Sequence, residues 1–547
     1  MSAIGSAAVL RPLRRFLQPG GALAGAIAVA IAYYVGAQAA FYLGTLTDKM
    51  FAPFWPPNII LFCALLLVPE RRWWHFIAAA FPAHVAAELQ VGMPAHQLLV
   101  AFVTNCMVAL LNAFAVRRLL GDAPWFSNLR KTGLYILITA GVSPAVSALG
   151  GAFVPILGGG APENYWLFWT YWYSGNALTS LTIGAAFLTW TSEGPLSSAL
   201  TSRHRIAEAA VLTFLLVVVC VVAFEVNAKS LGSSFLPAVF YAPLPIVLWA
   251  TVRFGAKGAS SAIMVVTVVL VWRTLQGAGL FVGSSDPELN VLALQLFLIG
   301  LSAPVLLLGA TIDELRHAEQ VTRQLAGSIL SAQDRERRRI ARDLHDTTGQ
   351  NLIVASLLAE RLRKAVPAAE RETVQQLGDT LQQSISEVRT LSYLLHPPLL
   401  DEAGLDAALQ HYVEGFSQRS GLHVDLDVAS DLDRLPENVE LALFRVVQEA
   451  LSNVTRHSGS PTAHIQLNRY WADGRGYVRL AVRDSGNGTA VAGSKPNRSR
   501  RSQNGVGLAS MRERLHQIGG RLELESASGS TVVTAFVPLG DEPRPNA

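Results

Sequence analysis

Apolar stretches of about twenty residues recur through the first 311 positions, each long enough to cross the hydrocarbon core of a bilayer. They lie near 19–44, 53–69, 73–91, 95–116, 132–157, 165–191, 206–226, 235–252, 258–274 and 289–311. Lipid offers the backbone no hydrogen-bond partners, so such segments must be helices. The first is too long, and followed by too many others, to be a cleaved signal peptide. Charged residues form only 15% of the chain, against about a quarter in a soluble protein. A purely cytosolic enzyme is excluded.

Loop charges orient these spans. With the N-terminus and its Arg11, Arg14 and Arg15 in the cytoplasm, the inner loops carry Arg71, Arg72, Arg117, Arg118, Arg130 and Lys131. Arg203, Arg205, Arg253 and Lys257 follow on the same side, while the outer loops hold only Lys49, Lys229 and Arg273. This asymmetry obeys the positive-inside rule. Ten spans return the chain to the cytoplasm. The longest outer loop, about 275–288, is too short for a folded sensing domain. Residues 1–311 hold 16 Lys/Arg against 10 Asp/Glu, and the remainder 28 against 30. The basic balance thus belongs to the membrane part, and direct nucleic-acid binding is not expected of the slightly acidic remainder. Cys63, Cys106 and Cys220 all lie in apolar runs, where a thiol acts as a small hydrophobe.

After residue 311 the texture changes. Residues 312–365 read as one long helix, with an apolar seam at Ile340, Leu344, Thr348, Asn351, Ala355, Leu358 and Leu362. Pro367 breaks it, and a second helix is expected over about 371–395, ended by His396-Pro397-Pro398. Such a hairpin leaves apolar stripes unpaired; two copies forming a four-helix bundle solve this, so a homodimer is expected. From about 405 to 540 helices and strands alternate, as in a compact α/β domain. Helices are expected at 437–456 and 506–518, and strands at 461–470, 477–484, 521–525 and 531–538. The polar, basic stretch TAVAGSKPNRSRRSQN before the second helix reads as a mobile loop.

Two clusters could carry chemistry. In the first, His345 follows the seam residue Leu344, flanked by Asp343 and Asp346, with Gln350 one turn beyond Asp346. A carboxylate beside an imidazole can take a ring proton and leave the other nitrogen nucleophilic. In the second, Glu449 and Asn453 share a helix face and precede Arg456 and His457. Asp484-Ser485-Gly486-Asn487-Gly488 closes a strand, Gly505-Val506-Gly507-Leu508 opens a helix, and Gly529-Ser530-Thr531 starts the last strand. The glycines permit close backbone approach to a ligand, and the helix N-terminus after Gly507 would offer N–H groups to phosphates. Asn453 and Glu449 could supply oxygens to a phosphate-bound Mg²⁺.

With these motifs in view, residues 312–540 resemble a sensor histidine kinase of the NarL-associated class. RRRIARDLHDTTGQ matches that class's phosphoacceptor motif, and LSYLLHPPLLDEAGLDAAL its second helix. The α/β domain resembles the Bergerat-type ATP-binding fold, through VVQEALSNVTRHS, DSGNG and NGVGLASMRERL. The membrane part, with FAPFWPPNIILFCALLLVPERRWW, resembles the first type of MASE integral-membrane sensor domain.

The resemblance implies three domains: a polytopic membrane sensor (1–311), dimerisation and phosphotransfer helices (312–400) and an ATPase domain (401–547). It implies His345 as phosphoacceptor, Asp346 as its acid–base partner, and Gln350 as the group positioning water for dephosphorylation of a partner. Asn453 would bind Mg²⁺, with Glu449 beside it, and Asp484 would accept from the adenine amino group. Gly486, Gly488, Gly505 and Gly507 would shape the nucleotide pocket and its lid. Lys495, Arg498, Arg500 and Arg501 are cations of that lid. Ser530 stands where the family usually has Thr and keeps the hydroxyl. The implied partners are ATP, Mg²⁺, a second copy and a cytosolic response regulator with a receiver and a helix-turn-helix output domain. A transporter-like membrane receptor is a further implied partner, and the bacterial inner membrane the implied location.

Competing readings are a transporter or channel with an ATP-regulated cytosolic domain, and an ATP-sensing scaffold. The phosphoacceptor motif on a dimerising hairpin disfavours the first. Within the third span, His84 and Glu88 are one turn apart, a costly placement in lipid. A ligand site, a proton site and an interhelical clamp all fit them. Tyr165, Trp166, Trp169, Tyr171, Trp172 and Tyr173 read as an aromatic belt at the outer interface.

Overall fold

The computed structural model describes residues 22–45, 54–191, 203–225, 241–276, 287–367, 370–429, 434–472, 475–486, 498–527 and 529–539, with the single residues 281 and 432. The chain forms two units, Met1–Glu319 and Gln320–Ala547.

In the first unit, α1 (Ala22–Thr45), α2 (Pro56–Leu67), α3 (Trp73–Gln90) and α4 (Ala95–Leu120) follow in order. α5 covers Leu129–Leu157 and α6 runs from Tyr165 to Thr191, each with a π turn inside, at Leu137–Val142 and Ser180–Gly184. α7 is Arg203–Glu225, α8 is Leu244–Leu275, and α9, Pro287–Asp343, leaves this unit for the next. Six helices among the described residues are long and apolar enough to cross a membrane. α2 has only 12 residues. It stops at a cytoplasmic arginine: the Arg117 guanidinium donates to the carbonyls of Leu66 and Val68 at 2.9 and 2.7 Å.

The expected eighth and ninth spans are one helical run broken at Gly255, whose φ is +63°. A Cβ on Gly258 would lie 2.1 Å from the Ala250 carbonyl oxygen, whereas eight residues of straight helix cover about 12 Å. The chain therefore turns back here, between Arg253 and Lys257. Residues 226–240, which hold the start of the expected eighth span, lie outside the described residues. The turn is braced from α9. Asp313 accepts the Ala256 N–H at 2.8 Å, and Arg316 donates to the Val252 and Arg253 carbonyls at 2.6 and 3.3 Å. Each charge meets the helix end whose dipole favours it.

The unit is glued by buried polar groups as well as apolar packing. Asn58 Nδ2 donates to Asn105 Oδ1 and Asn176 Oδ1 at 2.9 and 2.8 Å, joining three helices. Tyr135 donates to the Ser180 carbonyl at 2.8 Å. Gly184 is required there, because a Cβ would sit 2.7 Å from the Tyr135 hydroxyl. The aromatic group expected as a belt is packed unevenly. Trp166 is exposed, but Tyr171 is buried and the Trp172 ring lies against Gly151. A facing glycine leaves room for a ring against the neighbouring helix.

In the second unit, α9 continues through a π turn, Leu344–Gly349, into α10, Gln350–Ala365. α11 is Arg371–Leu395 and packs antiparallel on α10 as a hairpin. Ala341 and Ala359 are the closely packed small residues, and Ser392 donates to the Ala341 carbonyl at 2.9 Å. Ile353, Val354, Leu357, Leu358, Leu377 and Leu391 remain exposed. The π turn inserts a residue and rotates the helix beyond it. The seam residues Asn351, Leu358 and Leu362 beyond it are accordingly exposed within one chain, as are Thr348 inside the turn and Ile340 before it.

α12 (Pro398–Ser420), β1 (His423–Val428), α13 (Glu437–Asn453), β2 (Thr462–Ala472), β3 (Arg475–Asp484), α14 (Arg498–Gln517), β4 (Arg521–Ala527) and β5 (Ser530–Pro538) complete the chain. The sheet order is β1-β2-β3-β5-β4, parallel only between β1 and β2. One face buries Ile465, Leu467, Val478, Leu480 and Val537 against Leu443, Phe444, Val447 and Leu451 of α13. Leu400, Leu405 and Leu409 of α12 join that core, so the chain enters the α/β domain directly after Pro397. Beginning at Arg498, α14 starts eight residues before the expected helix. RSRRSQN contains no proline, and glycine costs a helix only about 1 kcal/mol, so Gly505 and Gly507 lie within α14.

Candidate phosphotransfer and nucleotide site

The lone His345 projects from the π turn, and such wide turns mark functional positions. His345, Asp346 and Gln350 are all exposed. The nearest charged pairs belong to Arg339, which contacts Glu336 at 2.5 Å and Asp343 at 3.4 Å. Asp343, the other carboxylate flanking His345, is therefore committed to arginine.

The second cluster assembles where α13, β3, β5 and α14 converge. Glu449 and Asn453 are half-buried on α13; Arg456 and His457, in the π turn Val454–Ser458, are exposed. Asp484 ends β3, paired with Ala463 and Thr531 across the sheet. It is buried, and its Oδ1 accepts from the Ser458 hydroxyl at 2.5 Å and the Gly486 N–H at 3.0 Å. Both bonds converge on one oxygen, which fixes the carboxylate. Ser530 donates to the Asp484 backbone carbonyl at 3.0 Å and accepts from Arg483 Nε at 3.3 Å. Serine in place of threonine thus keeps the contact that the hydroxyl makes.

Two glycines are dictated by close approach. A Cβ on Gly486 would fall 1.9 Å from Ser458 Oγ, and one on Gly507 2.1 Å from Glu449 Oε1. Gly507 and Leu508 therefore bring α14 against the Glu449 end of α13. This corrects the expectation of a free helix N-terminus after Gly507: α14 already runs through Gly505 and Gly507. Gly488 and Lys495 lie outside the described residues, as do the side chains of Arg498, Arg500 and Arg501. A purine and a divalent cation fit the donor set: one fixed buried carboxylate for an exocyclic amine, and an amide and carboxylate sharing a helix face.

Sequence reasoning missed an ionic cluster that ties the helix bearing His345 to the α/β domain. Asp334 of α9 is ion-paired to Arg445 of α13 at 3.2 Å and to Arg514 of α14. One turn on, Arg338 pairs with Asp401 at 2.9 Å and with Glu437. Burial pushes Arg445 down to about 10, against the pull of Asp334. Arg445 also donates to the Leu395 carbonyl at 2.7 Å, capping α11. His396 is buried, its Nε2 3.2 Å from Asp401 Oδ1; burial lowers its pKa while Asp401 opposes. Only the wide spacing in sequence, 63 to 180 residues, kept this cluster from view.

Comparison with known proteins agrees with this division. The MASE1 family model matches residues 25–316. A histidine kinase model matches 336–400, and the model of histidine kinase-, DNA gyrase B- and HSP90-like ATPases matches 438–541. The sensor histidine kinase MctS of Rhizobium johnstonii is 35% identical over 232 residues, 42% of this chain and 48% of that protein. The kinase/phosphatase DegS of Brevibacillus brevis is 30% identical over 39% of this chain and 54% of its own length. UhpB of Salmonella typhimurium is 28% identical over 63% of this chain and 66% of that protein. The chain spans about half the length of the first two relatives. It is a multi-pass membrane protein with its kinase-type region on the cytoplasmic side. Matched by the MASE1 model over more than half its length, and by the kinase and ATPase models beyond, the chain belongs to the MASE1 family as a member with histidine-kinase and ATPase regions.

Proposed function

We propose that the chain is a membrane-bound sensor histidine kinase that phosphorylates itself on His345 and passes the phosphoryl group to a response-regulator aspartate. The observation that carries this reading is the exposed His345-Asp346 pair on a hairpin helix of the unit that also holds the fixed Asp484 pocket. The functional parts are the membrane sensor (1–311), the phosphotransfer hairpin (312–400) and the ATPase domain (401–547).

In this reading Asp484 accepts from the adenine amino group, and Gly486, Gly488, Gly505 and Gly507 admit the nucleotide. Arg456, His457, Leu508 and Ser530 line its surroundings. Asn453, with Glu449 beside it, would hold Mg²⁺, which screens phosphate charge when bound with ATP. One ring nitrogen of His345 attacks the γ-phosphorus. The N–P bond forms as the bond to the β,γ-bridging oxygen breaks, and ADP leaves. Asp346 takes the proton from the ring and returns it when the phosphoryl group moves on. Gln350 orients water against the phosphoaspartate of the docked regulator, which gives a phosphatase activity. The regulator carries a receiver and a helix-turn-helix output domain, the kinase acts as a homodimer, and a transporter-like membrane protein is its further partner.

Membranes containing the protein, incubated with γ-labelled ATP and Mg²⁺, test the reading. Acid-labile, alkali-stable label on the chain is expected. Absence of label under all stimuli tried overturns it in favour of a nucleotide-sensing scaffold.

A further inference from the structure

The membrane unit contains a cavity of about 410 Å³, within the range of small-molecule sites. Its walls come from corresponding ends of seven helical segments. Phe41 is in the last turn region of α1, Trp55 precedes α2, Glu88 lies near the end of α3 and Gln97 near the start of α4. Pro155 ends α5, Phe168 and Trp172 begin α6, and Glu288 stands in the first turn of α9. The arginine-bearing loops at 71–72, 117–118 and 130–131 mark the opposite ends as cytoplasmic. The cavity therefore lies at the outer side of the membrane.

Its chemistry has one sign. Glu88 and Glu288 line it, and among the described residues no lysine, arginine or histidine does. Glu88 is 3% exposed, and its Oε2 has no hydrogen-bond partner among the described residues. A buried carboxylate oxygen without a partner is costly in a membrane bundle. His84 does not relieve it. Its Nε2 must donate to the Leu98 carbonyl at 3.2 Å, its Nδ1 faces the Tyr33 hydroxyl at 3.4 Å, and it reaches only Glu88 Oε1, at 3.8 Å. His84 is thus the interhelical clamp and Glu88 the cavity group, which divides a pair that the sequence could not.

The remaining walls suit a cation as well. Phe41, Trp55, Phe168 and Trp172 present aromatic surface, and ring faces attract ammonium groups most strongly where water is excluded. Asn105 and Asn176 also line the cavity, each with its carbonyl oxygen held by Asn58, so this wall is preorganised. The Trp172 indole N–H is buried without a partner among the described residues, a donor for an oxygen on the ligand. We infer that this cavity is a binding site for a small organic ammonium ion arriving from the outer face. An anionic ligand such as a phosphate ester would meet the Glu88 carboxylate with no cation beside it among the described lining residues.

The experiment uses the full chain in phosphatidylglycerol nanodiscs, titrated calorimetrically with tetramethylammonium, choline and ethanolammonium, and separately with glucose and inorganic phosphate. At least one of the three ammonium ions should bind saturably, one per chain, below about 10 mM. Affinity should fall at least about tenfold in Glu88→Gln and in Trp172→Leu, each checked for an unchanged unliganded melting temperature. Glu288→Gln is the second carboxylate variant, should Glu88→Gln fail to fold. Absence of saturable binding by all three ammonium ions, equal affinity in the folded variants, or tighter binding of glucose or phosphate overturns the assignment. Binding is read without phosphorylation, so its failure and that of the kinase reading are distinguishable.

Discussion

The membrane unit and the cytoplasmic unit place their polar groups in opposite ways. In the first, His84, Glu88, Asn58, Asn105 and Gln295 are buried, and helix packing positions them. In the second, His345, Asp346, Gln350, Arg456 and His457 are exposed, while the buried ions Asp334 and Arg445, with the half-buried Arg514, hold domains together. The contrast separates chemistry from architecture. An exposed group costs the fold nothing and is free to meet a partner protein; a buried one must be satisfied where it stands.

Substitutions can break this comparison, and the largest effect belongs to the exposed histidine. His345→Gln should abolish phosphohistidine while leaving nucleotide affinity and melting temperature unchanged, as labelled ATP and calorimetry on one preparation will show. A fall in stability would mean that His345 is also structural. Asp334→Ala does the reverse. It leaves Arg445 and Arg514 without their shared counter-ion, a loss of about 3 kcal/mol for a buried pair. The expected readout is faster hydrogen exchange in α13 and α14, with the acceptor histidine chemically intact.

Asp484→Asn touches both categories. Weakening two bonds to a buried carboxylate costs about 1–3 kcal/mol, and ATP affinity should fall by about tenfold or more. Fluorescent-nucleotide titration beside a melting curve separates the two losses. Gln350→Ala has the smallest effect expected. Autophosphorylation and transfer should persist, while the regulator's phosphoaspartate decays several-fold more slowly, about 1 kcal/mol in barrier. Equal decay with wild-type protein removes Gln350 from the mechanism.

The same contrast explains what could be read from sequence. The second hairpin helix and the four strands predicted from 461 onward stand within a few residues of their expected limits, because period and turn residues are local signals. α12 and β1 are absent from the sequence reading, although HVDLDV alternates as a strand should. The start of α14 lies earlier than expected because basic, polar RSRRSQN carries no apolar period to mark a helix. The site motifs are legible since they keep their chemical identity in sequence. The Asp334 cluster and the ammonium cavity are not, being made by residues that only folding brings together.

The bare stripe of the hairpin has a consequence for assembly. Ile353, Val354, Leu357, Leu358, Leu377 and Leu391 are apolar and uncovered, yet Thr348 and Asn351 interrupt the stripe. In free solution such a broken seam would pair weakly. Two chains anchored in one bilayer meet instead at a high effective concentration, with their helices already parallel. In the proposed homodimer, membrane confinement would supply part of what the interface lacks and leave the bundle easier to repack. A dimer made tight by its own side chains would resist that repacking.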